Sequence, residues 1–270
     1  MSRRRHNVAE LTAPEAAERL RAGACAMLPM GSLETHGPHL PMGDFLLADA
    51  ICARIAERAA ERGADALVLP PVPFGGEDFF DAVPGSVSLS LPLLQGIVEE
   101  TAEALFRNGA RRLLVVNGHG GSIAAVDAAA RALRRWRGVV VPAFHLWRAA
   151  AALHAELGGE AGSLGHGGDP VWSVALHLRP DLCRPDRAPE PGAVAAAPPT
   201  FLGLPVPGFG LVRCGGAEFA VPTEVEEAAP GGVAATADPR AGSADYGARL
   251  VEKLVAAGAA MVVQLRESVA

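Results

Sequence analysis

Apolar positions along the chain follow two alternating rhythms. Continuous runs occur in "ACAMLPMG" (24–31), at the start of "DALVLPPVPFG" (65–75), in "RRLLVV" (111–116) and in "GVVVPAF" (138–144). Each has the length of a strand buried on both faces. Between them, apolar residues recur every third or fourth position, the spacing of one helix face. "FLLADAICARIAERAAERG" (45–63) predicts a helix ended by Gly63, and "SLPLLQGIVEETAEALFRNG" (90–109) one ended by Asn108-Gly109. "SIAAVDAAARALRRW" (122–136) is a third. Further helices are expected near 145–157, over "VWSVALHL" (171–178) and over "SADYGARLVEKLVAAG" (243–258), with "AAMVVQL" (259–265) as a closing strand. Near the start, Thr12 and Glu15 stand at capping-box spacing, with Pro14 in the first turn of a short helix.

Strand–helix alternation of this kind implies an α/β fold whose mostly parallel sheet is covered by helices on both faces. Residues 181–240, rich in Pro, Gly and Ala, break the rhythm and read as a long loop excursion containing a hairpin. A length of 270 residues then suits a single domain over 1–270. Half the residues are apolar, enough for a two-sided core, yet no run approaches the roughly 18 residues a membrane span needs. The net charge of −6, with no basic stripe on any predicted helix, argues against nucleic acid. The basic start lacks an apolar segment of the secretory kind, and the four cysteines show no Cys-x-x-Cys pair. Both point to inert thiols in the cytoplasm.

Ligands of open parallel sheets bind beyond the carboxyl ends of the strands, and polar clusters fall there. "GSLETHGPHLPMGD" (31–44) follows the first strand with Glu34, His36, His39 and Asp44. "NGHGG" (117–121) follows the third with His119, and "GHGGDP" (165–170) precedes a helix. Neutral imidazole and ionised carboxylate are the usual ligands of zinc, manganese and ferrous iron. Glu34 and His36 point to one side of an extended segment. Asp44, ten residues past Glu34 across a Pro-rich turn, returns a second carboxylate. With His119 this makes four ligands from two strand ends, and a carboxylate can bridge two ions. "NGHGG" alone also reads as an anion-binding turn at a helix start.

The two longer motifs resemble those of the creatininase family of metal-dependent amidohydrolases, through "GSLETHGPHLP" (31–41) and "NGHGG". "PGSVSL" (84–89), His166 and "DPRAGSADYG" (238–247) are weaker echoes. The resemblance implies a three-layer α/β/α sandwich, a homo-oligomer (often a hexamer) and two divalent ions per chain. It also implies hydrolysis of an amide bond in a small cyclic amide, a formamide or a modified precursor peptide. By matching positions, Glu34, His36 and His119 hold metal, and His166 aids substrate binding or proton transfer. Three places depart from the family pattern. Asp44 lies one residue early, with Asp49 as its fallback. "HGGDPVWS" puts Asp169 and Val171 where the family has glutamates, and Gly121 stands where creatininase itself has a glutamate ligand.

The reading is therefore a metal-dependent hydrolase of a carbon–nitrogen bond. Glu34, His36, Asp44 and His119 hold Zn2+, Mn2+ or Fe2+, Asp169 is a further ligand or the base, and His166 polarises or protonates the leaving nitrogen. The pocket walls are expected from residues 74–82 and 200–222, with Trp172 as wall or core. A member reduced to a metal-binding or scaffolding subunit is one rival, favoured by Val171. A nucleotide-binding α/β domain is another, although the chain has neither a Walker lysine nor a G-x-G-x-x-G turn.

Overall fold

A computed structural model describes residues 5–76, 79–160, 162–190, 200–234 and 237–268. Helix α1 (Ala13–Arg21) begins at its expected cap, where a Glu15 carboxylate oxygen accepts from the Thr12 backbone N–H (2.7 Å) and hydroxyl (2.8 Å). The chain then alternates through β1 (Cys25–Met30), α2 (Phe45–Glu61), β2 (Ala66–Val68), the short pair β3 (Gly75–Gly76) and β4 (Ser88–Leu89), and α3 (Leu91–Arg107). It continues with β5 (Arg112–Asn117), α4 (Ile123–Arg137), β6 (Ala143–His145), α5 (Leu146–Leu153) and α6 (Val171–Leu178).

Among the described residues, four strands form the central sheet in the order β2-β1-β5-β6, every pair parallel. Successive side chains alternate between the faces, as a pleated strand requires. Cys25, Met27, Leu114, Val116, Ala66 and Val68 pack with α2, α5, α6 and the last helix of the chain (Ala244–Glu267). Ala26, Leu28, Met30, Leu113, Val115 and Leu67 pack with α1, α3 and α4. Burying each Leu, Val or Met side chain among these contributes about 1.5–3 kcal/mol, and both faces are lined this way, so the sheet is the middle layer of three. Because β1 connects outward to β2 while β5 returns on its other side, the strand order reverses between β1 and β5. That is where ligands of such sheets bind.

The region after α6 holds the strand pairs β7 (Thr200–Phe201) with β8 (Leu204–Pro205), and β9 (Leu211–Cys214) with β10 (Ala217–Ala220), followed by the short α7 (Val225–Ala228). The β9–β10 hairpin matches the one expected inside the loop excursion. The last helix, α8 (Ala244–Glu267), corrects the expected closing strand, since residues 259–265 continue it without a break. Gly258 reads as a helix end in sequence, but here it is a contact. A Cβ at this position would lie 2.4 Å from Ile55 Cδ1, so glycine lets α8 approach α2. Val255, Ala259 and Val262 are buried at helical spacing, which alternation in a strand would not produce. The fourth strand also starts later than expected, at Ala143 rather than Gly138.

Candidate metal centre

The loop between β1 and α2 doubles back on itself. Leu33 bridges Gly43 in antiparallel fashion, and the Glu34 N–H donates to the Met42 carbonyl at 3.0 Å. This fold-back carries Asp44, at the start of α2, to the side of Glu34. Its Oδ1 accepts from the Ser32 N–H at 2.5 Å. The early position of Asp44 is therefore no obstacle to joining the site. Asp49, the fallback, lies inside α2 and joins neither donor group described below.

His119 arrives from the end of β5, where Met30 of β1 is paired with Asn117. The Asn117 side chain fixes its backbone twice, accepting from the His119 N–H (3.1 Å) and donating to its carbonyl (2.7 Å). The His119 Nε2–H donates to the Gly76 carbonyl at 3.1 Å, so Nδ1 is the nitrogen that could coordinate once its proton is lost. Nδ1 stands 3.3 Å from Glu34 Oε2 and 3.7 Å from Asp44 Oδ2. Gly75 makes room for this ring, because a Cβ there would meet His119 Cδ2 at 2.5 Å.

The other Glu34 oxygen faces His36, with Nε2 to Oε1 at 3.5 Å. His36 Nδ1–H donates to the Glu34 carbonyl at 3.3 Å, so Nε2 carries the lone pair. The His166 ring stacks on His36 with centroids 4.6 Å apart, and its Nε2–H donates to the Thr35 carbonyl at 2.6 Å. Among the described residues two donor groups result, Glu34–Asp44–His119 and Glu34–His36–His166, with the ligand atoms of each within 4.8 Å of one another. Glu34 belongs to both, one oxygen towards each histidine.

Electrostatics suit cation binding. Burial would raise the Glu34 carboxyl, but His119 and then His36 more than reverse it and hold it down to about 2. Burial lowers His36 to about 3, so it is neutral and ready to coordinate. Burial also lifts Asp44 to about 6. His119 behaves oppositely: burial works against its charge, but Glu34 and Asp44 beside it raise it well above an ordinary histidine. Without a metal, the proton of this cluster sits on His119. The residues fit divalent ions: buried carboxylates, a neutral His36, a His119 whose proton an ion can displace, and second ring nitrogens anchored on backbone carbonyls in the manner of metal-ligating histidines.

Both groups form the floor of a cleft of about 1030 Å3. Its walls include Phe79, Phe80, Trp147, Phe209 and residues 220–224, close to the expected segments; Glu77 and Asp78 lie outside the described residues.

The family model described as "Creatininase: Creatinine amidohydrolase" matches residues 9–262. The chain belongs to the creatininase family. A creatinine amidohydrolase of Pseudomonas putida is 38% identical over 203 residues, covering 67% of this chain and 74% of that protein. A mycofactocin precursor peptide peptidase of Mycolicibacterium smegmatis is 34% identical over 157 residues, 57% of this chain and 58% of that protein. A crystal structure of creatinine amidohydrolase superposes with a TM-score of 0.74 at 28% identity, covering 99% of this chain and all of the other.

Against the creatininase pattern, Gly121 and Val171 line the cleft without offering a donor. Asp169 is buried at the cleft wall but enters neither donor group. Its Oδ1 accepts from the Ser173 N–H (3.1 Å) and hydroxyl (2.5 Å), and its Oδ2 from the Ser163 hydroxyl (2.9 Å). Both oxygens are thus engaged in tying the 162–169 loop to α6, where the sequence suggests a ligand or base. His166 departs in the other direction, with a ring nitrogen inside the second donor group. Trp172 is core rather than wall, buried and edge-on to His39; Trp147 takes the wall position.

His39, given no role by the sequence, is fully buried and donates from Nε2 to the Gly167 carbonyl at 2.7 Å. The two loops are therefore tied reciprocally, His39 to Gly167 and His166 to Thr35. The second histidine of "HGPHLP" was the available signal.

Proposed function

We propose that this protein hydrolyses the carbon–nitrogen bond of a cyclic amide, a formamide or a modified peptide, using two divalent ions held by Glu34, His36, Asp44 and His119. One observation carries the reading: two donor groups share the Glu34 carboxylate at the strand-order reversal, on the floor of an open cleft. The ions, Zn2+, Mn2+ or Fe2+ by donor type, supply water activation and carbonyl polarisation at neutral pH.

Glu34 bridges the groups, Asp44 and His119 complete the first, and His36 serves the second. His166 is partly exposed to the cleft, and its Nε2–H is committed to Thr35. The remaining nitrogen offers a lone pair that takes a proton from the attacking water and passes it to the leaving nitrogen. Burial lowers His166 below an ordinary histidine, so this base is free at neutral pH. Asp169 holds the loop that presents His166. The whole of 1–270 acts as a single domain in the cytoplasm, assembled as a homo-oligomer, a hexamer by family resemblance.

The test is hydrolysis of a panel of lactams, formamides and short peptides by metal-loaded protein, abolished by a chelator and restored by added metal. His166→Ala should reduce kcat by at least about 100-fold with metal content unchanged. Loss of an ion in that variant would make His166 a ligand instead. Gly121 and Val171, which offer no donor, favour a second reading as a metal-holding subunit. Stoichiometric metal without turnover on any panel member would select it.

A further inference from the structure

The donor groups occupy only the floor of the cleft, and the wall above them has a chemistry of its own. Aromatic rings lie one against the next from His36 outward. His36 stacks on His166 (4.6 Å), His166 stacks on Phe80 (4.8 Å) and meets Phe209 edge-on (5.1 Å), and Phe209 leans on Phe79 (5.5 Å). Phe80 is buried, but Phe79 and Phe209 are only half-buried and line the cleft. The row therefore ends in a partly open apolar face. Trp147 adds a further ring to the lining, its indole N–H donating to the Gly118 carbonyl.

Charge is equally one-sided. The lining carries Glu34, Asp44, Asp169 and Glu224, and among the described residues lining it none is Lys or Arg. The internal positions outside the description (77–78, 161, 191–199 and 235–236) contain neither residue in the sequence. Once Glu34 and Asp44 are matched by metal, no cationic side chain among the described lining residues is left to pair with an anion on a substrate. The volume, about 1030 Å3, lies at the top of the roughly 300–1,000 Å3 that holds drug-sized ligands, more than one small ring requires.

We propose that the substrate carries a planar apolar group beside its scissile amide, without negative charge, and that Phe79 and Phe209 select it by ring contact. The proposal rests on the amidohydrolase reading and narrows it to a substrate class. Offset and edge-to-face ring contacts favour aromatic groups beyond the area they bury. An anion in the same place would lose its hydration with no partner in return.

Three probes share one formamide and differ only in what its nitrogen bears: N-benzylformamide, its 4-sulfonate, and N-methylformamide. A sulfonate is a poor metal ligand, so it reports the wall rather than the ions. Calorimetric titration into the metal-loaded full chain should show N-benzylformamide binding at least tenfold tighter than either of the others. Phe209→Ala and Phe79→Ala should each remove most of that preference. Phe79→Ala is the cleaner of the two, since Phe209 and Phe80 remain against His166, and unchanged metal content and melting temperature confirm that both variants fold. Equal binding of the sulfonate or of the methyl compound, no measurable binding of N-benzylformamide, or a preference surviving both substitutions would each overturn the proposal. Formate release, measured separately, keeps the two readings apart. The binding preference without formate release counts against formamide hydrolysis and leaves the pocket assignment standing, whereas release without preference does the reverse.

Discussion

His119 is held from three directions: Asn117 fixes its backbone, Gly76 takes its Nε2–H, and two carboxylates face its Nδ1. No neighbouring side chain can replace that nitrogen. His119→Ala and His36→Ala should each lower bound metal by about one ion per chain, from different groups. Elemental analysis that finds wild-type content in both would remove the metal assignment. Gly75→Ala tests the same ring from outside. Its Cβ would stand 2.5 Å from His119 Cδ2, against a residue pinned at both ends. Overpacking of this kind costs about 1–3 kcal/mol, and here part of the strain is relieved by turning the ring off the metal. The variant should lose melting temperature and first-group metal together; loss of stability with full metal content would mean that β3 yields instead. At this scale the sequence is most legible where side-chain chemistry is unusual, as in Glu34, His36 and His119. It is least legible for Asp169, whose partners Ser163 and Ser173 are ordinary residues that only the fold brings together.

Elements position the site through three joints: the fold-back after β1, the turn after β5, and the 162–169 loop before α6. The last is held by the Asp169 carboxylate, buried with three hydrogen bonds. Asp169→Asn keeps the volume but turns one acceptor into a donor facing hydroxyls or a backbone N–H. Hydrogen bonds to a charged group contribute about 1.5–3 kcal/mol, so stability should fall by about that amount and kcat with it, as His166 loses its place. Metal content should stay at the wild-type level. A drop to one ion per chain would restore Asp169 as a ligand. The elements themselves are legible wherever one periodicity dominates: β1, β5, α2, α3 and α4 fall close to where the pattern puts them. The closing strand fails because "AAMVVQL" is apolar except for Gln264 and so shows no clear period, and Gly258, a contact against Ile55, imitates a helix end. The aromatic wall is legible only as two segments, 74–82 and 200–222; that Phe79 of one meets Phe209 of the other shows only in three dimensions.

For the molecule as a whole, metal binding is linked to both folding and protons. An ion that binds only the native state stabilises it by about 2.7 kcal/mol at one hundred times its dissociation constant. A chelator should therefore lower the melting temperature, and restored metal should raise it again. The pH dependence follows from His119. In the metal-free protein Glu34 and Asp44 keep it protonated well above the usual histidine range, whereas coordination through Nδ1 requires it neutral. Between about pH 6, below which Asp44 also takes up a proton, and that raised pKa, each loading event at the first group must expel one proton. Affinity then falls about tenfold for each pH unit of acidification, and the stabilisation by metal shrinks with it. His36, already neutral down to about 3, adds no such dependence at the second group. Calorimetry in buffers of different ionisation enthalpy should accordingly show about one proton released per chain, tied to the first ion and absent in His119→Ala. Release of no proton, or the same release in that variant, would show that His119 is not the group the first ion displaces.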